Sequence, residues 1–166
     1  WLFTKSFCRK MPEALRNALG AHPADAVITD PALPFDVRVV HYFQNAKLGP
    51  VGGEDGKLSN PANRGLGLTS QAVEIPAGTG VKSEAVDDTA AYVEFLKKGT
   101  QDSLGTYLLS VTQSRFQDSR FKSGWNDAEV RANTPPFLFK LTEPQTLEVD
   151  GKSYRVALRF KRNYKP

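Results

Sequence analysis

Few residues in this chain are of a type that could do chemistry, and their spacing limits each of them. The one cysteine, Cys8, is a candidate redox thiol, but thiol exchange with a resolving partner needs a second sulfur. The plainer reading of Cys8 is a small apolar residue on a helix face. The two histidines, His22 and His41, have no Cys or His at ligand spacing beside them, so no zinc-type ligand set forms and no metal site is expected. His41 is expected to pack on the apolar face of a strand with a hydrogen-bonding neighbour. Asp87 and Asp88 could supply an acid/base pair, as carboxylates in any soluble domain could. The stretch "GGEDGKLS" has some of the look of a phosphate loop, yet its first glycine is misplaced and Leu58 stands where a Mg²⁺-binding Ser or Thr belongs, so a polar turn is expected. The chain contains no G-x-S-x-G, C-x-x-C or H-E-x-x-H. No catalytic residue is assigned, and the chain reads as a non-enzyme.

Charge is more informative. The net charge is +4, but residues 151–166 hold Lys152, Arg155, Arg159, Lys161, Arg162 and Lys165 with no acid, which leaves 16 of the 22 basic residues against all 18 acids. Arg155, Arg159, Lys161, Arg162, Tyr164 and Lys165 are therefore the candidate partner-contact surface. Basic residues interleaved with Tyr154, Phe160 and Tyr164 could hold a single nucleic-acid strand, but strand alternation turns Tyr154 and Phe160 away from the charges, so no nucleic acid is expected. An anionic membrane surface suits the stripe better, at about 1 kcal/mol per Lys or Arg near the headgroups. A solvated strand face is the plain alternative. The opening "WLFTKSFCRK" mixes aromatic and basic residues in a way that suits a membrane-water boundary, an apolar flap on the core, or the cut edge of a longer chain.

These residues must be positioned by a modest fold. A chain of 166 residues, 40% of them hydrophobic and 10% aromatic, closes one sizeable core, so a single domain is expected. Mean hydropathy is −0.41, and no apolar run approaches the ~20 residues of a membrane-spanning helix. Residues 1–32 read as a helical lead-in and connector and residues 33–166 as a β-rich core. In "MPEALRNALG", Pro12 suits a first helical turn, Met11, Leu15 and Leu19 recur every four residues, and Gly20 can end the helix. "FDVRVVHYF" puts Phe35, Val37, Val39, His41 and Phe43 on one strand face. Residues 44–70, rich in Gly, Asn and Pro, read as a long irregular loop. "AVDDTAAYVEFLKKG" has helical content, but with "LGTYLLSV" after it two strands are favoured over a helix. Pro135 and Pro136 interrupt, and "FLFKL" resumes the strand pattern. Asp150-Gly151 between "QTLEV" and "KSYRVALRF" demands a type I′ hairpin, because both turn residues need positive φ. Tyr154, Val156, Leu158 and Phe160 would face the core, and Arg155, Arg159 and Lys161 would face outward. The expected class is mainly β, an antiparallel sandwich or barrel-like domain with a short N-terminal helix.

Three stretches carry a family resemblance. "LPFDVRVVHYF" (residues 33–43), "AAYVEFLKKGTQDSLGTYLLSV" (90–111) and "VDGKSYRVALRFKRNYKP" (149–166) resemble the extracytoplasmic region of ResB-like cytochrome c biogenesis proteins, the last stretch most specifically. The resemblance implies a domain on the extracytoplasmic, periplasmic face of a membrane, tethered by spans outside this chain, so that the basic strand continues into a longer polypeptide. It implies a ResC-like haem-handling membrane partner and an apocytochrome c client whose C-x-x-C-H thiols receive haem as thioethers. Haem would be handled by the full complex, with no cofactor in this fragment. Neither His22 nor His41 inherits a haem-ligating role. Cys8 lies outside the matched stretches, so a thiol-reducing role is not inherited either. Such a domain would supply proximity, holding an extended cytochrome segment near delivered haem. A generic extracellular β-domain that binds a protein or lipid surface, without a role in haem chemistry, and an enzyme with an unrecognised site are the competing classes.

Overall fold

The computed structural model describes residues 27–52, 60–76, 87–118, 128–134 and 136–159. In chain order these form β1 (Val27–Ile28), β2 (Phe35–Phe43), β3 (Ala46–Pro50), a 3-10 turn (Gly65–Leu68), β4 (Ser70–Glu74), β5 (Ala90–Lys97), β6 (Ser103–Ser110), α1 (Val111–Asp118), α2 (Ala128–Asn133), α3 (Pro136–Thr142), β7 (Gln145–Val149) and β8 (Lys152–Val156). The fold is mainly β and antiparallel. A four-stranded sheet runs β1-β2-β5-β6, and β3-β4 and β7-β8 are two-stranded. The large sheet is open, so among the described residues there is no closed barrel. The helix expected over residues 11–20 lies outside the described residues.

Both faces of the central sheet are covered. On one face Phe35, Val37, Ala91, Val93, Phe95, Tyr107 and Leu109 pack against Leu147, Val149 and Val156 of the β7-β8 hairpin. On the other face Phe43, Ala90, Tyr92 and Leu108 pack against Ala46 and Ala72 of β3-β4, Leu66 of the 3-10 turn and Leu141 of α3. This double burial explains why "AAYVEFL" is apolar at both parities and why its periodicity alone left helix and strand open. Strands β5 and β6 form as expected, paired from Ala90↔Ser110 to Leu96↔Ser103. Tyr92 also ties the layers together, because its hydroxyl oxygen accepts the Ala72 N–H at 3.1 Å. Burial pushes its phenol pKa up, against that bond.

Strand β2 departs from strict alternation. Its partner on β5 is continuous from Phe35↔Lys97 to Val39↔Val93 and resumes at His41↔Tyr92, so Val40 is an inserted residue. A bulge of one residue inverts the parity of everything after it. Phe35 and Val37 therefore belong to the first core and Phe43 to the second, which corrects the single apolar face expected for this strand. His41 is exposed rather than packed in the core, its ring tilted 42° against that of Phe43 with centroids 4.3 Å apart.

Three further expectations are revised. The connector before residue 33 contributes β1, which pairs Val27 with Arg38 and Ile28 with Val37. The stretch 44–70 is not a loop throughout: Ala46–Pro50 is β3, in register with β4 from Ala46↔Glu74 to Pro50↔Ser70. "FLFKL" lies in α3 rather than a strand. Pro136 occupies its first position, where the missing N–H is no loss, and Leu138 and Leu141, three apart, both reach the second core.

The hairpin is the clearest agreement. Asp150 has φ 48° and Gly151 φ 74°, and the register runs from Val149↔Lys152 to Gln145↔Val156. Val156 is fully buried, while Tyr154 and Leu158 are half-buried against the first core. The strand ends at Val156, three residues short of Arg159.

One polar clamp closes the β2-β5 end of the sheet. The buried Asp36 carboxylate accepts from Lys98 Nζ at 2.7 Å and from the Gly99 N–H at 2.8 Å, and Lys98 Nζ also donates to the Asp30 carbonyl at 2.8 Å. Burial raises the Asp36 pKa, but the Lys98 and Gly99 hydrogen bonds and the Lys98 charge outweigh it and hold the carboxyl below its ordinary 3.8. A depressed acid stabilises the fold above its unfolded pKa, and that contribution disappears as pH falls through the lower folded pKa. Asp36→Asn should therefore cost about 2 kcal/mol at neutral pH and should flatten the acid limb of a urea-midpoint-versus-pH curve. An unchanged acid limb would remove Asp36 from the account.

Candidate functional site

The edge of β6 is covered by the segment before the 3-10 turn. The N–H groups of Asn63 and Arg64 both donate to the Thr106 carbonyl, at 3.0 and 3.1 Å, and Asn63 Oδ1 accepts the Thr106 N–H at 2.9 Å. Asn60 Nδ2 donates to the Gly67 carbonyl at 2.7 Å, and Asn60 Oδ1 accepts the Ala62 N–H at 3.1 Å. Asn63 thus saturates a backbone group that an uncovered sheet edge would expose, and Asn60 ties the covering segment to the 3-10 turn. Close approach depends on Gly105, whose φ is 128°. A Cβ there would lie 2.5 Å from Arg64 Cγ, so the glycine leaves the slot in which the Arg64 stem rests.

Below the 3-10 turn runs a chain of buried glutamines. Gln145 Oε1 accepts the Leu66 N–H at 2.8 Å, and its Nε2 donates to the Leu108 carbonyl and to Gln113 Oε1, each at 2.7 Å. Gln113 Nε2 and Gln117 Nε2 both donate to the Glu143 carbonyl, at 3.2 and 2.9 Å. Arg155 closes the chain, donating to Gln117 Oε1 at 2.8 Å. Spaced four residues apart on α1, Gln113 and Gln117 share one helix face. Side chains so fully partnered hold a structure in one arrangement.

Between the 3-10 turn, α3 and the start of β7 lies a cleft of about 380 Å³, whose lining includes Arg64, Leu68, Thr69, Tyr107, Lys140 and Gln145. Its floor is saturated. Gln145 is spent as described, and the Tyr107 hydroxyl donates to the Thr146 carbonyl at 3.0 Å. Burial raises the Tyr107 pKa; the charge of Arg64 opposes this and that of Glu148 adds to it. The phenol stays a protonated donor at neutral pH. Lys140 is neutralised by Glu143 at 3.0 Å. Arg64 has no ion-pair partner among the described residues.

The residues expected to act fall elsewhere. Arg155 and Arg159 are exposed, and Arg155 is engaged by Gln117. Thr146 and Glu148 stand opposite Arg155 and Ser153 on the hairpin, so Glu148 offsets part of the basic stripe. Lys161, Arg162, Tyr164, Lys165 and Cys8 lie outside the described residues, as do His22 and most of "GGEDGKLS". Asp87 and Asp88 have partners that tie the end of β2, the start of β3 and α1 together: Asp87 accepts from Gln44 at 3.4 Å, Asp88 pairs with Arg115, and the Asp88 carbonyl accepts the Ala46 N–H at 2.9 Å. No group of three or more His, Cys, Asp or Glu among the described residues could hold a metal ion. No helix among them is long and apolar enough to cross a membrane. The chain matches no family model, no curated protein and no solved structure.

The cleft was missed from sequence because its walls are far apart along the chain. Arg64 sits in the stretch read as loop, Lys140 in the stretch read as strand, and Gln145 at the foot of the hairpin.

Proposed function

We propose that this chain is a binding and scaffolding domain, specifically the extracytoplasmic domain of a ResB-like cytochrome c biogenesis protein. It would hold apocytochrome c for haem attachment beside a ResC-like membrane partner. One observation carries the reading. The three stretches that resemble the family are separate in sequence, yet they supply every buried residue of the first core except Leu147. The same stretches also give Phe43, Ala90, Tyr92 and Leu108 to the second core, so the resemblance follows the central sheet and its hairpin, which fits a shared fold better than scattered short likenesses would.

The proposed work is positioning. Among the described residues β8 pairs only with β7, and an extended client segment could add to its other edge, where main-chain hydrogen bonds demand little of the guest's sequence. Arg155 lies on this strand, with Arg159 three residues beyond its end. Thioether formation itself is assigned to the haem-handling complex, so the domain is proposed as a non-enzyme on the extracytoplasmic face.

The test is deletion of residues 27–159 from the full-length protein, produced with its haem-handling partner and a reporter cytochrome c. Covalent haem, read by peroxidase staining of denaturing gels, should fall at least about tenfold while the partner still inserts in the membrane. Undiminished covalent haem would end this proposal. Salt-sensitive binding of the domain to anionic vesicles in that case would favour the lipid-surface alternative.

A further inference from the structure

We propose that the cleft beside the 3-10 turn is a binding site for a small monocarboxylate with an apolar body, its carboxylate held by Arg64. This is independent of the cytochrome reading. Arg64 is an exposed guanidinium with no acid within ion-pair distance among the described residues, and it is held in place from two directions. Its backbone N–H is bound to the Thr106 carbonyl at 3.1 Å, and its stem occupies the slot left by Gly105. A held guanidinium presents a planar fork that matches a carboxylate with two parallel hydrogen bonds.

Net charge selects the ligand's valence. Lys140 is balanced by Glu143 at 3.0 Å, and the Glu148 charge reaches Tyr107 on the same side. Arg64 is thus the one uncompensated cation of the cleft among the described residues, with carboxylates nearby, which suits a single negative charge and opposes a phosphate dianion. The rest of the lining sets apolar Leu66, Leu68 and Pro144 beside Thr69 and Thr146 and the already engaged Gln145 and Tyr107. Leu66 is buried at the floor, and Leu68 at the mouth is 61% exposed. A leucine so exposed would be covered by a ligand's hydrocarbon body. A volume of about 380 Å³ falls at the small end of ligand sites. Because Gln145 and Tyr107 already have their partners, binding would require no rearrangement of the floor, and preorganisation of this kind favours affinity.

The experiment is an NMR titration of the isotope-labelled full chain with hexanoate, with 1-hexanol and inorganic phosphate as comparisons. Hexanoate should produce saturable amide shifts centred on Leu66, Thr69 and Thr146, with hexanol at least about tenfold weaker. Arg64→Gln keeps the backbone bonds to Thr106 and should weaken hexanoate at least about tenfold, the loss expected for a charged hydrogen-bonded pair. Leu68→Ser alters an exposed side chain, so it should melt like the parent, and it should weaken hexanoate but not acetate. Any of three results overturns the proposal: no saturable shift, phosphate binding as tightly as hexanoate, or hexanoate affinity unaffected by both substitutions.

Discussion

Phe35→Ala should destabilise the domain by about 3–5 kcal/mol, the cost of emptying a buried aromatic site that cannot fully collapse. Phe35 is 0% exposed, and its ring meets Phe95 on the neighbouring strand edge-on, at 5.4 Å between centroids, and Tyr154 on the hairpin, at 5.8 Å. It is therefore the point at which β2, β5 and β8 meet, and its removal loosens the hairpin as well as the sheet. Edge-to-face pairs add about 0.5–1.5 kcal/mol beyond the buried area, so Phe35→Leu, which restores most of the volume without a ring, should recover only part of the loss. Urea unfolding reads the effect as a fall in midpoint at unchanged slope. In a thermal melt the Ala variant should drop by roughly 6–20 °C for a chain of this size. A loss under about 1 kcal/mol would mean that the hairpin does not pack on this face.

Gln145→Leu should cost about 3 kcal/mol although it preserves volume and adds apolar surface. The reason is what remains behind. The Leu66 N–H, the Leu108 carbonyl and Gln113 Oε1 each lose their contact with Gln145, and a stranded buried polar group costs about 1–3 kcal/mol. Gln145 also borders the cleft, so water reaching one stranded group should hold the total below the simple sum. The double variant Gln113→Leu/Gln145→Leu should be less destabilised than the two single changes added together, because the pair removes a mutual dependence. Strict additivity in that cycle, measured by denaturant unfolding, would show that the glutamines act independently and that the network description is wrong.

Much of the β architecture was legible because its signals are local. Asp150-Gly151 needed only two residues with positive φ between alternating runs. "LGTYLLSV" needed only strand formers after a short connector, and β6 follows. What failed did so wherever a distant partner decides. "AKLGP" is no strand by its own composition; it becomes β3 because "SQAVE" comes back to pair with it across the 3-10 segment. "FLFKL" has an apolar pattern compatible with strand or helix, and helix prevails because Pro136 can start one and Leu138 and Leu141 then reach the same core. Phe43 was assigned to the wrong core because of a single inserted residue, Val40, that no periodicity announces. Among the residues singled out from charge, Arg155 is bound by Gln117, whereas Arg64, which was not singled out, lines a cleft without an ion-pair partner among the described residues.

The amino-acid sequence alone determined the mainly β class, the type I′ hairpin and the lack of a recognisable catalytic motif, because propensity, alternation and turn chemistry act over a few neighbouring residues. Only the tertiary structure decided that the sheet is buried on both faces, that a bulge redirects β2, and that Arg64, Tyr107, Lys140 and Gln145 share one cleft. Those outcomes depend on long-range packing and on where each buried hydrogen-bonding group finds its partner, and neither is written in any short stretch of chain.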